Sequence, residues 1–345
     1  MKYCVTGGLG VVGSLFVRSR LSSGDRVDVF DDGKDPRHNM NAKCLSTDGS
    51  TQSELAWFHG YRFGGEMLGG FPRECDRILH AAASTGIPYS GQAPLDDWSR
   101  NVDGTIEVLE AVRTKPTPTV VLSSVKPYTT SNICAIERED HYMLSGTGVT
   151  EREQLIPDEP YAASKAAQSL ICQAYARSYD LPIVVFRCSN LYGPAAPHGP
   201  RHGWVTWLCI QAALGWTIEI QGSGKQTRDM LFASDVESAA LAAFEQLEAG
   251  HLKGEIFNIG GGYRNTVSVV QLVEMLRGMG ARFDTRHAPG RKHEDMLFVA
   301  EHSKFTMATG WKPAVSVREG VARIYEWACQ NRDALAAVYA EYAPK

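Results

Sequence analysis

Tyr161 and Lys165 are the residues whose types and spacing most directly suggest chemistry. They stand four residues apart in the run Tyr161-Ala-Ala-Ser-Lys165. On a helix, side chains at this spacing project from the same face. A phenol beside an ammonium loses its proton more readily, because the positive charge stabilises the phenolate. The pair therefore predicts proton transfer to or from an alcohol, and the alternative is a Tyr and a Lys on the surface of an ordinary helix.

A glycine-punctuated run near the N-terminus, Thr6-Gly-Gly-Leu-Gly-Val-Val-Gly13, predicts a dinucleotide site. Glycines between a strand and a helix permit a tight turn and let a pyrophosphate approach the helix N-terminus. Asp31 ends the second predicted strand, where a carboxylate bonds ribose hydroxyls and repels a 2′-phosphate, which favours NAD over NADP. The alternatives are a plain tight turn and a turn or N-cap aspartate. The cofactor-binding residues predicted here are Gly7, Gly10, Val11, Val12, Gly13, Asp31 and Asp32.

Ser124 is the third residue of the predicted catalytic group. It comes at the end of the strand predicted at Thr119–Ser123. A hydroxyl in this position can hydrogen-bond a substrate oxygen, and the alternative is a serine that satisfies a backbone group.

Apolar, β-branched segments alternate with helix-length amphipathic segments, and this order predicts a doubly wound α/β sheet of the Rossmann type. The predicted strands are Lys2–Val5, Arg26–Phe30, Arg77–His80, Thr119–Ser123 and Ile183–Arg187. The predicted helices include Val11–Leu21, Trp98–Thr114 and Tyr161–Tyr179. Ligands of such sheets bind at the carboxyl ends of the strands, where the candidate residues fall.

Two polar stretches interrupt this alternation. Pro36–Glu54 predicts no element, and Tyr128–Pro160 predicts a flexible loop over the site. After Cys188 the pattern changes to short elements with clustered Gly, Pro, His and Trp. We therefore expect an NAD-binding domain at 1–187 plus 232–262, and a smaller substrate-binding lobe at 188–231 plus 263–345.

Composition excludes several classes of protein. A formal net charge of -4 gives no general attraction to nucleic acid or to anionic lipid. No stretch approaches the roughly 18 apolar residues of a membrane span. The eight cysteines form no Cys-x-x-Cys pair and the ten histidines have no metal-ligand spacing, so we expect no metal. The cytoplasm is the expected compartment.

Taken together, the ordered motifs resemble the extended short-chain dehydrogenase/reductase family, the nucleotide-sugar epimerases and dehydratases. The resemblance also rests on His80-Ala-Ala-Ala83, Asn101-Val-Asp-Gly-Thr105, Phe186-Arg-Cys-Ser-Asn-Leu-Tyr-Gly-Pro194 and Asn258-Ile-Gly-Gly261. It implies that Tyr161 is the general base or acid, that Lys165 lowers its pKa and bonds the nicotinamide ribose, and that Ser124 orients the reacting hydroxyl. It adds Ala81, Ala82, Ala83, Asn101, Tyr161 and Lys165 to the predicted cofactor site.

The sequence departs from the family pattern in two places. Dehydratases of the family usually carry an Asp-Glu pair directly after the Ser/Thr, but this chain has Val125-Lys126. The third-strand acid that touches adenine is also missing, and Phe58-His-Gly-Tyr-Arg62 occupies that region.

A narrower resemblance is to the CDP-tyvelose and CDP-paratose 2-epimerases. It rests on Ser123-Ser-Val-Lys-Pro-Tyr128, Gly203-Trp-Val-Thr-Trp207 and Gly222-Ser-Gly-Lys-Gln-Thr-Arg-Asp229. The first run differs from that group because Val125 replaces Asn and Pro127 replaces Val.

The second lobe is expected to bind a nucleoside-diphosphate sugar. Arg228 and Arg291 can present planar donor forks to a diphosphate, and Asn190 resembles the family asparagine of that region. Solvated surface charges are the alternative for the arginines, and core packing or a subunit contact is the alternative for Trp204. The predicted substrate-binding residues are Ser84, Lys126, Asn190, Trp204, Lys225, Arg228, Arg291 and Glu294.

These observations predict an NAD-dependent epimerase that oxidises a ring hydroxyl to a ketone and returns the hydride to the opposite face. The narrower resemblance favours C2, with C4 next. The alternatives are a net dehydrogenase/reductase or dehydratase of a sugar nucleotide, and a non-enzymatic NAD-binding protein. By analogy with the family we expect a homodimer, and we expect no nucleic-acid or membrane partner.

Overall fold

The computed structural model describes residues 1–33, 41, 55–59, 74–130, 133–194, 203–290 and 295–343. The helices there are α1 (Val11–Ser22), α2 (Ile87–Gln92), α3 (Pro94–Trp98), α4 (Gly104–Thr114), α5 (Pro160–Tyr179), α6 (Trp204–Leu214), α7 (Ala233–Glu248), α8 (Val269–Gly278), α9 (Ser303–Thr309), α10 (Val317–Gln330) and α11 (Arg332–Val338). The strands are β1 (Lys2–Thr6), β2 (Arg26–Asp31), β3 (Leu55–His59), β4 (Arg77–His80), β5 (Thr119–Ser124), β6 (Ala135–Glu137), β7 (Tyr142–Leu144), β8 (Ile183–Cys188), β9 (Asn190–Tyr192), β10 (Ile218–Gln221), β11 (Thr227–Phe232), β12 (Ile256–Ile259), β13 (Thr266–Ser268), β14 (Thr285–Ala288) and β15 (Leu297–Phe298).

The main sheet has seven parallel strands in the order β12-β8-β5-β4-β1-β2-β3. Strands such as β8 are buried along their whole length, which explains why they read as continuous apolar runs rather than as alternating ones. The predicted α/β class and all five predicted strands are confirmed. The parallel register places the carboxyl ends of β1, β4, β5 and β8 along one edge.

The helix predicted at Trp98–Thr114 differs from the observed one. Helical structure starts earlier, with α3 at Pro94, and residues Ser99–Asp103 form a π-helical turn before α4 begins at Gly104. An amphipathic period does not reveal the one-residue insertion of a π turn, because the flanking segments keep the helical pattern.

The stretch from Tyr128 to Pro160 is more ordered than a flexible loop. It contains an antiparallel pair, β6 with β7. The buried Tyr128 hydroxyl donates to Asn258 Oδ1 at 2.9 Å and accepts from the Arg187 guanidinium at 2.8 Å. These bonds tie the stretch to β8 and β12. Most of Pro36–Glu54 and the end of Phe58–Arg62 lie outside the described residues, and the strand β3 was not predicted.

A second group of short strands follows β8. β9, β13 and β15 pair with β11, and β10 pairs with β14. Their apolar residues form a cluster with α6 and α10 that is distinct from the cluster beneath the main sheet. Residues 234–260 join the main sheet, since α7 packs on α1 and β12 pairs with β8.

Two kinds of feature are missing from the described residues. No helix there is long and apolar enough to cross a membrane. Nor does any group of three His, Cys, Asp or Glu side chains stand together as metal ligands would.

Candidate active site

Tyr161 and Ser124 meet at the carboxyl edge of the main sheet. Tyr161 lies in the first turn of α5, which begins with a proline, and Ser124 is the last residue of β5. The Ser124 side chain lies close enough to Tyr161 to interact with its phenol. Burial raises the pKa of Tyr161 to about 12, Ser124 opposes this rise, and the charge of Asp97 adds to it. The phenol is therefore a proton donor at neutral pH unless a nearby cation stabilises its anion.

Lys165 lies one turn further along α5 and is 2% exposed. Its ammonium donates to Leu122 O at 3.2 Å and to Gln168 Oε1 at 3.0 Å. Burial lowers the pKa of Lys165 to about 8, and Asp97 opposes this fall. A buried ammonium held by neutral acceptors keeps a hydrogen available for a further partner, as a lysine that binds a ribose must.

The glycine run forms a tight turn under the N-terminus of α1. Gly7 has a φ of +67°, and a Cβ on it would lie 2.6 Å from Ala82 N. A Cβ on Gly13 would lie 2.2 Å from Gly7 O. No side chain caps α1 at Gly10. The first backbone N–H groups of α1 can therefore donate to an anion at the helix terminus; they belong to Val11, Val12 and Gly13. This cradle fits a dinucleotide pyrophosphate.

The two predicted acids after β2 have different surroundings. Asp31 is 7% exposed, and its carboxylate accepts from Leu9 N and Gly33 N, each at 3.0 Å. Asp31 thus shapes the glycine turn, and its contact with the ribose stays a prediction. Asp32 forms an ion pair with Arg100 at 2.7 Å. Because Asp32 neutralises Arg100, that arginine is a poor receptor for a 2′-phosphate, which agrees with the preference for NAD.

The segment after β4 faces the glycine turn. Ala81 N donates to Thr6 O, and Ala82 N donates to Thr6 Oγ1 at 3.1 Å, while Ala83 is partly exposed. Asn101 is fully buried and uses its amide internally. Its Oδ1 accepts from Ser84 N at 2.8 Å, and its Nδ2 donates to Ser84 O and to Ser164 Oγ. The structure therefore gives Asn101 a role in fixing the loop at Ser84, and direct contact of either residue with a ligand stays a prediction.

Two of the predicted substrate-binding cations, Lys126 and Arg228, both contact Asp295, which was not predicted from the sequence. Lys126 Nζ lies 3.4 Å from Asp295 Oδ2, and Arg228 donates to Asp295 O at 2.6 Å. Lys126 also lies 4.0 Å from Glu159 Oε1, and burial raises the pKa of Glu159. Lys126 N donates to Ser124 Oγ at 3.1 Å, which places this charged group next to the serine predicted to act in catalysis. Neither acid belongs to a recognised motif, so only their position reveals them.

The other predicted substrate residues are more dispersed. Asn190 begins β9 and donates to Asp229 O at 3.3 Å. Lys225 pairs with the exposed Glu137 at 2.8 Å, which is the surface-charge alternative. Trp204 begins α6 and packs partly buried against the second apolar cluster, as the packing alternative expects. Arg291 and Glu294 lie outside the described residues.

The fold and the site define a class: a dinucleotide-binding α/β protein with a Ser, Tyr and Lys group at the carboxyl edge of its sheet. Residues 3–260 match the model of the NAD dependent epimerase/dehydratase family. The chain belongs to this family of enzymes, and NAD is its cofactor.

Named relatives include both epimerases and dehydratases. The chain is 31% identical over 341 residues to CDP-paratose 2-epimerase of Salmonella typhi, covering 95% of this chain and 99% of the relative. It is 30% identical over 345 residues to dTDP-glucose 4,6-dehydratase of Xanthomonas campestris pv. campestris (strain B100), covering 96% and 93%. The solved structure of DesIV, a dTDP-glucose 4,6-dehydratase from Streptomyces venezuelae with NAD bound, matches with a TM-score of 0.81 and 28% identity, covering 98% of this chain and 100% of DesIV.

Proposed function

We propose that this enzyme is an epimerase of a nucleoside-diphosphate sugar, with C2 as the favoured centre and C4 as the next. The observation that carries the proposal is the group after Ser124. Dehydratases of the family usually have an Asp-Glu pair there, whereas this chain has Val125 and then Lys126, whose ammonium pairs with Asp295. The acid pair that the dehydratases of the family use is thus missing at 125–126, while the groups proposed for reversible oxidation are present. The similarity to a CDP-paratose 2-epimerase supports the same choice.

In the proposed reaction, the Tyr161 phenolate takes the proton of one ring hydroxyl as the carbon becomes a ketone. When bound in the glycine cradle, NAD would supply the hydride acceptor for this step and the hydride donor for the return step. Ser124 holds the reacting oxygen, and Lys165 provides the positive charge that favours phenolate. After the ketone presents its other face, Tyr161 returns the proton to the oxygen. Protons and hydride balance, so no coenzyme is consumed.

The ketone must stay bound while it turns, and the proposed anchor is its diphosphate. Arg228, Lys126 and Asn190 are the described residues that we assign to this contact. Their donor groups converge on the region of Asp295 and Asp229 at the border of the second group of strands. Binding energy at a non-reacting part of the substrate is thereby used to retain the intermediate. On this basis we assign 188–231 plus 263–345 to substrate binding and 1–187 plus 232–262 to NAD binding.

The test is incubation with CDP-, UDP-, dTDP- and GDP-sugars in deuterated water, followed by NMR. We expect one inverted centre without solvent deuterium at that carbon, because the hydride is recycled inside the site. Deuterium at the inverted carbon would indicate enolisation and contradict the mechanism. A 4-keto-6-deoxy product would indicate a dehydratase, and accumulation of free NADH would indicate a net dehydrogenase.

The matched variant is Tyr161→Phe, which removes only the phenolic oxygen. We expect it to lose turnover of the responsive sugar while it still binds NAD. Unchanged turnover would exclude Tyr161 as the proton-transfer group. If no sugar responds with the unmodified chain, the non-enzymatic alternative gains support. The homodimer and the cytoplasmic location stay predictions, which gel filtration and cell fractionation can check.

A further inference from the structure

A buried chain of polar side chains runs from Lys165 to the glycine turn. Lys165 Nζ donates to Gln168 Oε1 at 3.0 Å, and Gln168 Nε2 donates to Thr105 Oγ1 at 2.9 Å. Gln168 and Thr105 are both 0% exposed. Gln168 stands three residues after Lys165 on α5, so the two side chains share one face of the helix.

The orientation of the Gln168 amide is fixed from both ends. Thr105 Oγ1 gives its single hydrogen to Asn101 O at 2.7 Å, so it can only accept from Gln168. An ammonium can only donate, so it requires the oxygen of the amide and not its nitrogen. Both neighbours therefore select the same orientation, with Oε1 facing Lys165.

His80 continues the chain to the cofactor cradle. Its Nε2 lies 3.0 Å from Thr105 Oγ1, and its Nδ1 lies 2.7 Å from Thr6 Oγ1. With the Thr105 hydrogen committed, His80 donates from Nε2 and accepts from Thr6 at Nδ1. Thr6 Oγ1 in turn accepts from Ala82 N beside Gly7. Burial, together with the charge of Lys165, lowers the pKa of His80 to about 3, so the imidazole stays neutral.

We propose that Gln168 is a positioning residue that holds the Lys165 ammonium for the role of Lys165 in the reaction. The buried chain through Thr105 and His80 fixes the direction of the Gln168 amide oxygen. The catalytic meaning of this assignment rests on the proposed function of Lys165. The hydrogen bond itself does not depend on which reaction the enzyme performs.

The surroundings of Lys165 explain why an aimed acceptor matters. Burial lowers the pKa of Lys165, and Asp97 is the charged group that opposes this fall, while the thiols of Cys188 and Cys172 also lie near the ammonium. Burial raises the pKa of both thiols to about 12, so they carry no charge at neutral pH. Asp97 Oδ2 accepts a hydrogen bond from Ser164 Oγ rather than from Lys165. Direct contacts with Leu122 O and Gln168 Oε1 are therefore what hold the ammonium in place.

The test measures the pKa of Lys165 by 13C NMR of protein labelled with ε-13C-lysine, with Lys165→Met to assign the signal. Gln168→Met removes the acceptor at similar size, and we expect the pKa of Lys165 to fall by about one unit. Gln168→Glu places a carboxylate at the same point, and we expect the pKa to rise. The matched control is Gln173→Met, on the same helix, where Gln173 donates to Gly254 O and not to Lys165.

A fall of the Lys165 pKa in Gln168→Met, with none in the control, would support the proposal, because it shows that the amide oxygen stabilises the ammonium; a rise in Gln168→Glu would confirm that position 168 faces the ammonium. A rise or no shift in Gln168→Met would overturn the proposal. Thr105→Val provides a second route if Gln168→Met does not fold. It frees the amide to rotate, and we expect a smaller fall in the pKa, whereas no fall would overturn the proposed aiming. The titration is made without substrate, so its outcome stands apart from the sugar assay.

Discussion

Gly13→Ala tests whether the glycine turn is the cofactor cradle. The added methyl carbon would lie 2.2 Å from Gly7 O, 2.8 Å from Gly8 Cα and 2.9 Å from Gly7 C. All three atoms belong to the backbone of the turn, so no side chain can rotate away to make room. The turn itself must move. Because its position determines where the first N–H groups of α1 point, the change should damage NAD binding as well as packing.

The expected size follows from the cost of inserting a methyl group into a packed site, about 1–3 kcal/mol. Expressed in NAD affinity, a loss of this size corresponds to a roughly 5- to 150-fold increase in the dissociation constant. The assay is the NAD released when the purified protein is denatured, together with NAD titration of the stripped protein. Urea unfolding reports the packing cost separately.

Two other glycines provide controls. A Cβ at Gly10 would lie 3.2 Å from Gly7 O, a contact that a small shift relieves, so Gly10→Ala should cost less than Gly13→Ala. A Cβ at Gly91 would have no atom within 4 Å, so Gly91→Ala in α2 should leave NAD content unchanged. The reasoning would be refuted if Gly13→Ala retained as much NAD, and were as stable, as Gly91→Ala.

Two further predictions concern buried carboxyls. Burial raises the pKa of Asp229 to about 6, so the folded state holds a proton that the unfolded state releases, and the free energy of unfolding should fall as the pH rises from about 4 to about 6. Asp229→Asn should abolish this contribution, which amounts to a fall in the free energy of unfolding on the order of 3 kcal/mol across that pH range. Urea unfolding at several pH values measures it, and an unchanged pH dependence would contradict the assignment. Asp97 raises the pKa of both Tyr161 and Lys165. Asp97→Asn should therefore move the optimum of the rate to lower pH, and a move to higher pH would show that another charge dominates.

The sequence by itself predicted five strands of the main sheet and the candidate reacting groups. The five predicted strands match the observed ones to within one residue at their ends, because β-branched runs buried on both faces are a local signal. The glycine turn and the Tyr161/Lys165 spacing are also local, since one turn of helix or one tight turn contains all of their geometry. The position of the candidate residues along one edge of the sheet followed from the predicted parallel order of the strands.

The tertiary structure decided what each of these groups touches. Lys126 and Arg228 are about a hundred residues apart in sequence, and they converge only because β11 and β15 pair beside the end of β5. Asn101 was expected at the cofactor, but its amide is used to hold Ser84. Gln168 carries no motif, and it became visible only through its bond to Lys165. Such partners depend on contacts between distant segments, and local sequence patterns do not record which segments the fold brings together.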